Sequence, residues 1–173
     1  MGPRSILSRP LDLVIWIYLL SHIAPTFLID TQAFLPANST SDALRGFLKA
    51  AWLDSSGDPF VGSLFDGNGA KWFEAIMLNE FFIETPLMFY CIWALWKDSP
   101  SLKIPGTIYA TQCITTTFMI LFSLFTEDYD LTSSQFLTLA SVYGIYIFFP
   151  ILILYRCTIG WPEAASPRAS SDK

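Results

Sequence analysis

The stretch LDLVIWIYLLSHIAPTFLIDTQAFL, residues 11–35, decides the fold class. As a helix it is long enough to cross a hydrocarbon core of about 30 Å. Helix is the one open form whose backbone hydrogen bonds close within the segment, so a membrane-crossing helix is expected. Arg4 and Arg9 precede the run as they would in a signal peptide. The run is too long for such a leader, contains His22 and Pro25, and is followed by no small-residue cleavage site, so a permanent span is expected.

Outward from this run lie three more apolar stretches, residues 72–96, 104–125 and 136–157. Over the 173 residues, 53% are apolar and 14% charged, where a soluble domain carries charge on about a quarter. The length admits four or five spans but not seven, which excludes a seven-helix receptor. Period-two alternation is absent, which excludes a membrane barrel. Fifteen acids against ten bases, with no basic run, leave nothing to neutralise a phosphate backbone, so nucleic acid is not an expected partner. Cys91, Cys113 and Cys157 lie in apolar stretches and read as small buried hydrophobes. With a single histidine, no transition-metal site is expected. No phosphate loop, nucleophile elbow or zincin pattern occurs, and no cofactor is expected.

The expected architecture is therefore an all-α membrane protein, a four-transmembrane-helix bundle forming one domain over residues 1–161. A Ser/Ala/Pro-rich disordered tail is expected over residues 162–173. Asp98-Ser-Pro100 and residues 126–133 make short connections. The long loop, residues 36–71, holds an amphipathic piece around residues 43–53 and a Gly/Asp-rich tail in which Gly57-Asp58-Pro59 and Asp66-Gly-Asn68-Gly69 read as turns. Arg4, Arg9, Lys97, Lys103, Arg156, Arg168 and Lys173 flank one side of the membrane, against Arg45, Lys49 and Lys71 on the other. Both termini are expected in the cytosol, with the long loop in a lumen or outside. Asn38-Ser-Thr40 is a glycosylation triplet on that far side, close to the membrane.

The informative residues are those lipid should not tolerate. Glu80 and Glu84 are four apart on the second span, hence on one helical face. They indicate either an internal polar cavity or structural hydrogen bonds to a neighbouring helix. Asp30 ends the first span, as an interface anchor or as part of a pocket. His22, eight residues earlier, shares its face and reads as a packing residue or a pocket wall. Pro25, Pro86 and Pro150 each interrupt a span and favour kinked helices around a cavity. Tyr143, Tyr146 and Phe149, with Thr115-Thr116-Thr117, add rings and hydroxyls at helical spacing.

The segment Tyr18-Leu-Leu-Ser-His-Ile-Ala-Pro-Thr-Phe-Leu-Ile-Asp-Thr-Gln-Ala-Phe-Leu-Pro36 closely resembles the first span of the EXPERA family, which joins the emopamil-binding sterol isomerases and the sigma-2 receptor branch. Gly57-Asp-Pro59, Trp72-Phe73 with Asn79-Glu80, Pro86, Ile108-Tyr109 with Thr115-Thr116, Phe125-Thr-Glu-Asp128 and Ser141-Val-Tyr143 with Tyr146 and Pro150 follow in register. The resemblance is to the sigma-2 branch above all. It implies a four-helix protein of the endoplasmic reticulum membrane whose kinked helices enclose a lipid-accessible pocket for sterols or lipophilic cationic amines. It further implies that Asp30 pairs with a ligand amine, that Asp58 folds back to hydrogen-bond Asp30, and that one of these two acids keeps its proton. Glu80 matches the buried glutamate of the family, His22 its histidine, and Tyr109, Thr116, Tyr143 and Tyr146 its wall positions. Two departures matter. The isomerase branch carries a histidine one turn before the second-span glutamate, where this chain has Ile76, which disfavours isomerase activity. Glu84 replaces a neutral polar residue and adds an acid to the pocket. The expected function is non-enzymatic binding in sterol homeostasis or protein quality control, with a membrane sterol transporter as partner and homodimerisation as in relatives. The alternative is a sterol Δ8-Δ7 isomerase using Glu80 and Glu84.

Overall fold

A computed structural model describes residues 4–33, 35 and 40–159. Asn38 and the expected tail over residues 162–173 lie outside the described residues. Among those described, every regular element is helical. Four helices, Pro10–Gln32, Lys71–Trp96, Pro100–Thr126 and Ser133–Thr158, are long and apolar enough to cross a membrane. The chain is a multi-pass membrane protein, and its outer surface agrees: Ile17, Phe27, Phe82, Phe118, Phe122 and Phe148 are all exposed, as lipid-facing side chains are.

Helix α1 (Pro10–Leu28) begins with a proline at its first position and runs through Pro25 to a 3-10 turn at Asp30–Ala33. The long loop is more helical than its composition indicated. Ser41 caps α2 (Asp42–Leu48), which continues through a π-helical turn at Lys49–Leu53 and a last turn at Asp54–Ser56. Gly57-Asp58-Pro59, expected as a plain turn, is a junction between two helices. Gly57 ends the first with φ 62°, Asp58 caps the second, and Pro59 opens α3 (Pro59–Phe65). The Gly/Asp-rich tail thus contains a helix, because Phe60, Val61 and Leu64 supply an apolar face that buries.

The second span, α4 (Lys71–Trp96), is α-helical over Lys71–Asn79, π-helical over Glu80–Glu84 and α-helical again over Thr85–Trp96. The wide turn lies just before Pro86, which has no N–H to continue the ladder. Thr85 N–H and its Oγ1 both turn back on the Glu80 carbonyl, the hydroxyl at 2.9 Å. Helices α5 (Lys103–Thr126) and α6 (Ser133–Thr158) form the most extensive helix pair. A capping box between Thr132 and Gln135 starts α6. Near the other end of the pair, a Cβ placed on Gly106 would come 2.7 Å from Cys157 Sγ, so the glycine permits the close approach.

Two apolar clusters hold the bundle. One joins Leu19, Met88, Cys91, Ala110 and Ile153; the other joins Phe60, Phe73, Met77, Ile120 and Leu139. One set of polar residues falls between them on three of the long helices, Glu80 and Glu84 between Met77 and Met88, Thr116 between Ala110 and Ile120, Tyr143 and Tyr146 between Leu139 and Ile153, and on α1 His22 lies just beyond Leu19. A polar layer therefore crosses the middle of the bundle.

Candidate functional site

The polar layer borders a cavity of about 250 Å³, whose wall includes His22, Asp30, Asp58, Glu80, Glu84, Thr116, Tyr143 and Tyr146. Eight of the nine residues singled out in the sequence thus meet in one place. Tyr109 does not reach it. Fully buried, it lies behind the wall and hydrogen-bonds the lining residue His22, whose Nδ1 is 2.9 Å from the Tyr109 hydroxyl.

His22 is held at both nitrogens, with Nε2 3.1 Å from Glu80 Oε1. Thr26, one turn along α1, donates to the same Glu80 oxygen at 3.1 Å and to the His22 carbonyl at 3.0 Å. Glu80 is in this way tied across from α4 to α1. Glu84 accepts from Asn79 Nδ2 at 2.9 Å and from Thr116 Oγ1 at 3.4 Å. Asn79 and Glu84 are five residues apart, about 140° apart around a regular α-helix, and the π turn between them puts both on one face.

Asp58 enters from the loop. Its Oδ1 accepts the N–H groups of Phe60 and Val61 at 3.0 and 3.1 Å, and its Oδ2 accepts Trp52 Nε1 at 3.0 Å and the Tyr143 hydroxyl at 2.8 Å. Asp30 is not among its hydrogen-bond partners, contrary to the expected bond between the two acids. Four donors already occupy the Asp58 oxygens, and the cap geometry of α3 fixes where they point. Burial pushes the Asp58 carboxyl above its ordinary value, while these hydrogen bonds pull it back.

Asp30 differs from the other three acids. It shares a side-chain hydrogen bond with the Glu80 carboxyl and lies within Coulombic reach of Glu84 and Asp58. The single-turn helix that begins at Asp30 turns the carboxylate into the cavity wall instead of extending α1 into water. The remaining wall is apolar or weakly polar. It includes Pro25, Phe73, Ile76, Met77, Ile120 and Cys113, whose thiol lies 3.5 Å from the Tyr146 carbonyl.

Sequence reasoning missed Thr26, Asn79 and Trp52. Thr26 carried a usable signal, since it lies one turn from His22 on the same face. Asn79 carried none, because ordinary helical spacing turns it away from Glu84. Trp52 comes from the loop, whose path no periodicity predicts. Chemically, the site offers an apolar enclosure with four carboxyl groups, one imidazole and several hydroxyls. Such a site suits a ligand that is mostly hydrocarbon and carries a positive charge.

The profile of the EXPERA (EXPanded EBP superfamily) family matches residues 44–157. The chain is 27% identical over 158 residues to Sigma intracellular receptor 2 of Xenopus tropicalis, covering 87% of this chain and 89% of that protein. It is 29% identical over 157 residues to the proteins of the same name from Homo sapiens and Macaca fascicularis, covering 84% of this chain and 86% of each.

Proposed function

From the premise that the chain belongs to the EXPERA family, we propose that it is a sigma-2-receptor-like binding protein that takes a sterol or lipophilic cationic amine into the acidic cavity. The observation that carries this reading is the state of the four carboxyl groups. Glu80, Glu84 and Asp58 each accept hydrogen bonds from imidazole, amide, indole or hydroxyl groups, whereas the side-chain hydrogen bond of Asp30 is to another carboxyl, that of Glu80. An acid in an apolar wall whose side-chain partner is a second acid is the group with most to gain from a ligand ammonium. In this reading Asp30 is the counter-ion, Glu80 and Glu84 set the negative field, and Tyr143, Tyr146 and Thr116 shape the wall. The protein acts in sterol homeostasis or protein quality control at the endoplasmic reticulum, with both termini cytosolic and a membrane sterol transporter as partner.

Asp30→Asn tests the assignment. The variant should remain folded and extractable while its affinity for a lipophilic tertiary amine falls about a hundredfold or more, the scale expected when a buried charge pair loses one partner. Undiminished affinity overturns it. The rival reading, a sterol isomerase passing protons through Glu80 and Glu84, draws on the position of both groups in one wall. Against it stands Ile76, which occupies the wall where the isomerase branch places a histidine. Both readings expect amine binding, since an ammonium resembles a carbocation. Turnover separates them: the chain should fail to rescue a strain lacking sterol isomerase, and rescue that depended on Glu80 would reverse the choice.

A further inference from the structure

Glu84 lines the cavity about one turn along α4 from Glu80 and is 2% exposed. Its two hydrogen-bond donors converge on a single oxygen. Asn79 Nδ2 and Thr116 Oγ1 both reach Oε1, at 2.9 and 3.4 Å. The Thr116 hydroxyl lies closer to the Gln112 carbonyl, at 3.0 Å, and to the Cys113 carbonyl, at 3.2 Å. A hydroxyl has one proton to give, and the nearer carbonyls compete for it. Glu84 therefore keeps one firm donor, that of Asn79, and no described residue donates to its second oxygen, Oε2.

The cavity itself supplies little to serve that oxygen. Among the described residues no lysine or arginine lines it, and its one imidazole is engaged at both nitrogens, by Tyr109 and by Glu80. A buried carboxylate oxygen without a donor is costly to keep, so the free position favours a ligand that brings one. The spacing along α4 defines that ligand. Asp30 and Glu80, joined by a side-chain hydrogen bond, make one acidic position in the wall, and Glu84 makes another within Coulombic reach of Asp30. Glu80 and Glu84 are four residues apart, about 6 Å along a helix axis. A molecule with two nitrogens joined by a short carbon chain spans that distance.

We propose that Glu84 is a second cation anchor and that the cavity selects lipophilic 1,3-diamines over monoamines, with one ammonium at the Asp30–Glu80 position and the other at Glu84 Oε2. This rests on the reading of Asp30 as counter-ion. The second ammonium gives Oε2 the donor it lacks, through a charge-assisted bond in an apolar enclosure. Asn79, brought round by the π turn, holds the other oxygen of the same carboxyl and so fixes where Oε2 lies.

Isothermal titration calorimetry of the detergent-solubilised full chain tests the proposal. The probes are N-cyclohexyl-1,3-diaminopropane and N-butylcyclohexylamine, in which a methyl group replaces the second nitrogen. The wild type should bind the diamine about tenfold more tightly, the scale of one charge-assisted hydrogen bond. Glu84→Gln keeps an oxygen for Asn79 but carries no charge, and should erase that preference. Asp30→Asn should weaken both ligands and preserve their ratio, because the amine that meets Asp30 is common to both. Glu84→Asp withdraws the charge by one methylene and should move the preference to N-cyclohexyl-1,4-diaminobutane, a test that stands even if Glu84→Gln fails to fold. Equal affinity of the wild type for diamine and monoamine, a ratio that survives Glu84→Gln, or a Glu84→Asp protein that still favours the shorter spacer overturns the second anchor, and none of these touches the counter-ion. Undiminished monoamine affinity in Asp30→Asn overturns the counter-ion and with it the placing of the first ammonium.

Discussion

Asp58 shows how one side chain can be part of a site without being the part that meets the ligand. Its two oxygens divide the work: one closes the N-terminus of α3, and the other joins Trp52 of the loop to Tyr143 of α6. Asp58→Ala should destabilise the protein by about 1–2 kcal/mol from the lost cap alone, with further loss from the stranded indole and hydroxyl. Asp58→Asn keeps an oxygen for the cap, so its thermal midpoint should fall less. Its amine affinity should also drop less than that of Asp30→Asn, because in the proposed site Asp58 holds the wall and Asp30 meets the charge. Equal losses in an amine-binding titration would place Asp58 in contact with the ligand.

At the scale of elements, the π turn of α4 is the feature that most shapes the site. It widens the helix over Glu80–Glu84, turns Asn79 towards Glu84, and lies next to Pro86, where the regular ladder cannot continue. The contact between α5 and α6 depends on a different device. Gly106 leaves just enough room for Cys157 Sγ, and added volume there must push two packed helices apart. Gly106→Ala should cost about 1–3 kcal/mol, the range for overpacking a close contact. Adding Cys157→Ala removes the opposing sulfur and should restore a large part of the loss. A double-mutant cycle on thermal midpoints checks this, and simple additivity of the two changes would show that the pair is not what sets the helix spacing.

For the whole molecule, the two ends are fastened by different chemistry. The loop end is apolar, with Phe60 of α3 packed on Phe73 of α4 and on Tyr143 of α6. The opposite end is ionic, with Asp12 of α1 bound to Arg156 of α6, and Arg9 reaching both Asp12 and the Leu95 carbonyl of α4. Asp12 is thus the only carboxylate among the described residues that binds both of these buried arginines. Asp12→Asn should lower stability by about 3–5 kcal/mol, since it removes the carboxylate that both buried guanidinium groups share. The thermal midpoint in detergent should fall accordingly, whereas a shift within the scatter of surface substitutions would mean that water or lipid satisfies the arginines. Because the cavity lies between the two fastened ends, amine affinity measured below the midpoint should change little.

The run at residues 11–35 and its three companions determined the fold class, because lipid leaves a chain so few solutions: a long apolar segment must close its own hydrogen bonds. The acids and the histidine were legible for the same reason, since charge is conspicuous where oil is expected. Tertiary structure decided what each of those groups is paired with. Whether an acid is satisfied depends on partners distant in the chain, and local spacing says nothing of Tyr143 reaching Asp58 or of Thr26 reaching Glu80. It also decided the helical course of the loop, the π turn that overrides ordinary helical spacing, and the withdrawal of Tyr109 behind His22. The basic residues at the chain ends read in sequence as topological markers. Only packing made Arg156 a buried partner of Asp12, because an ion pair between two helices is fixed by where the helices end, and no periodicity along one helix records that.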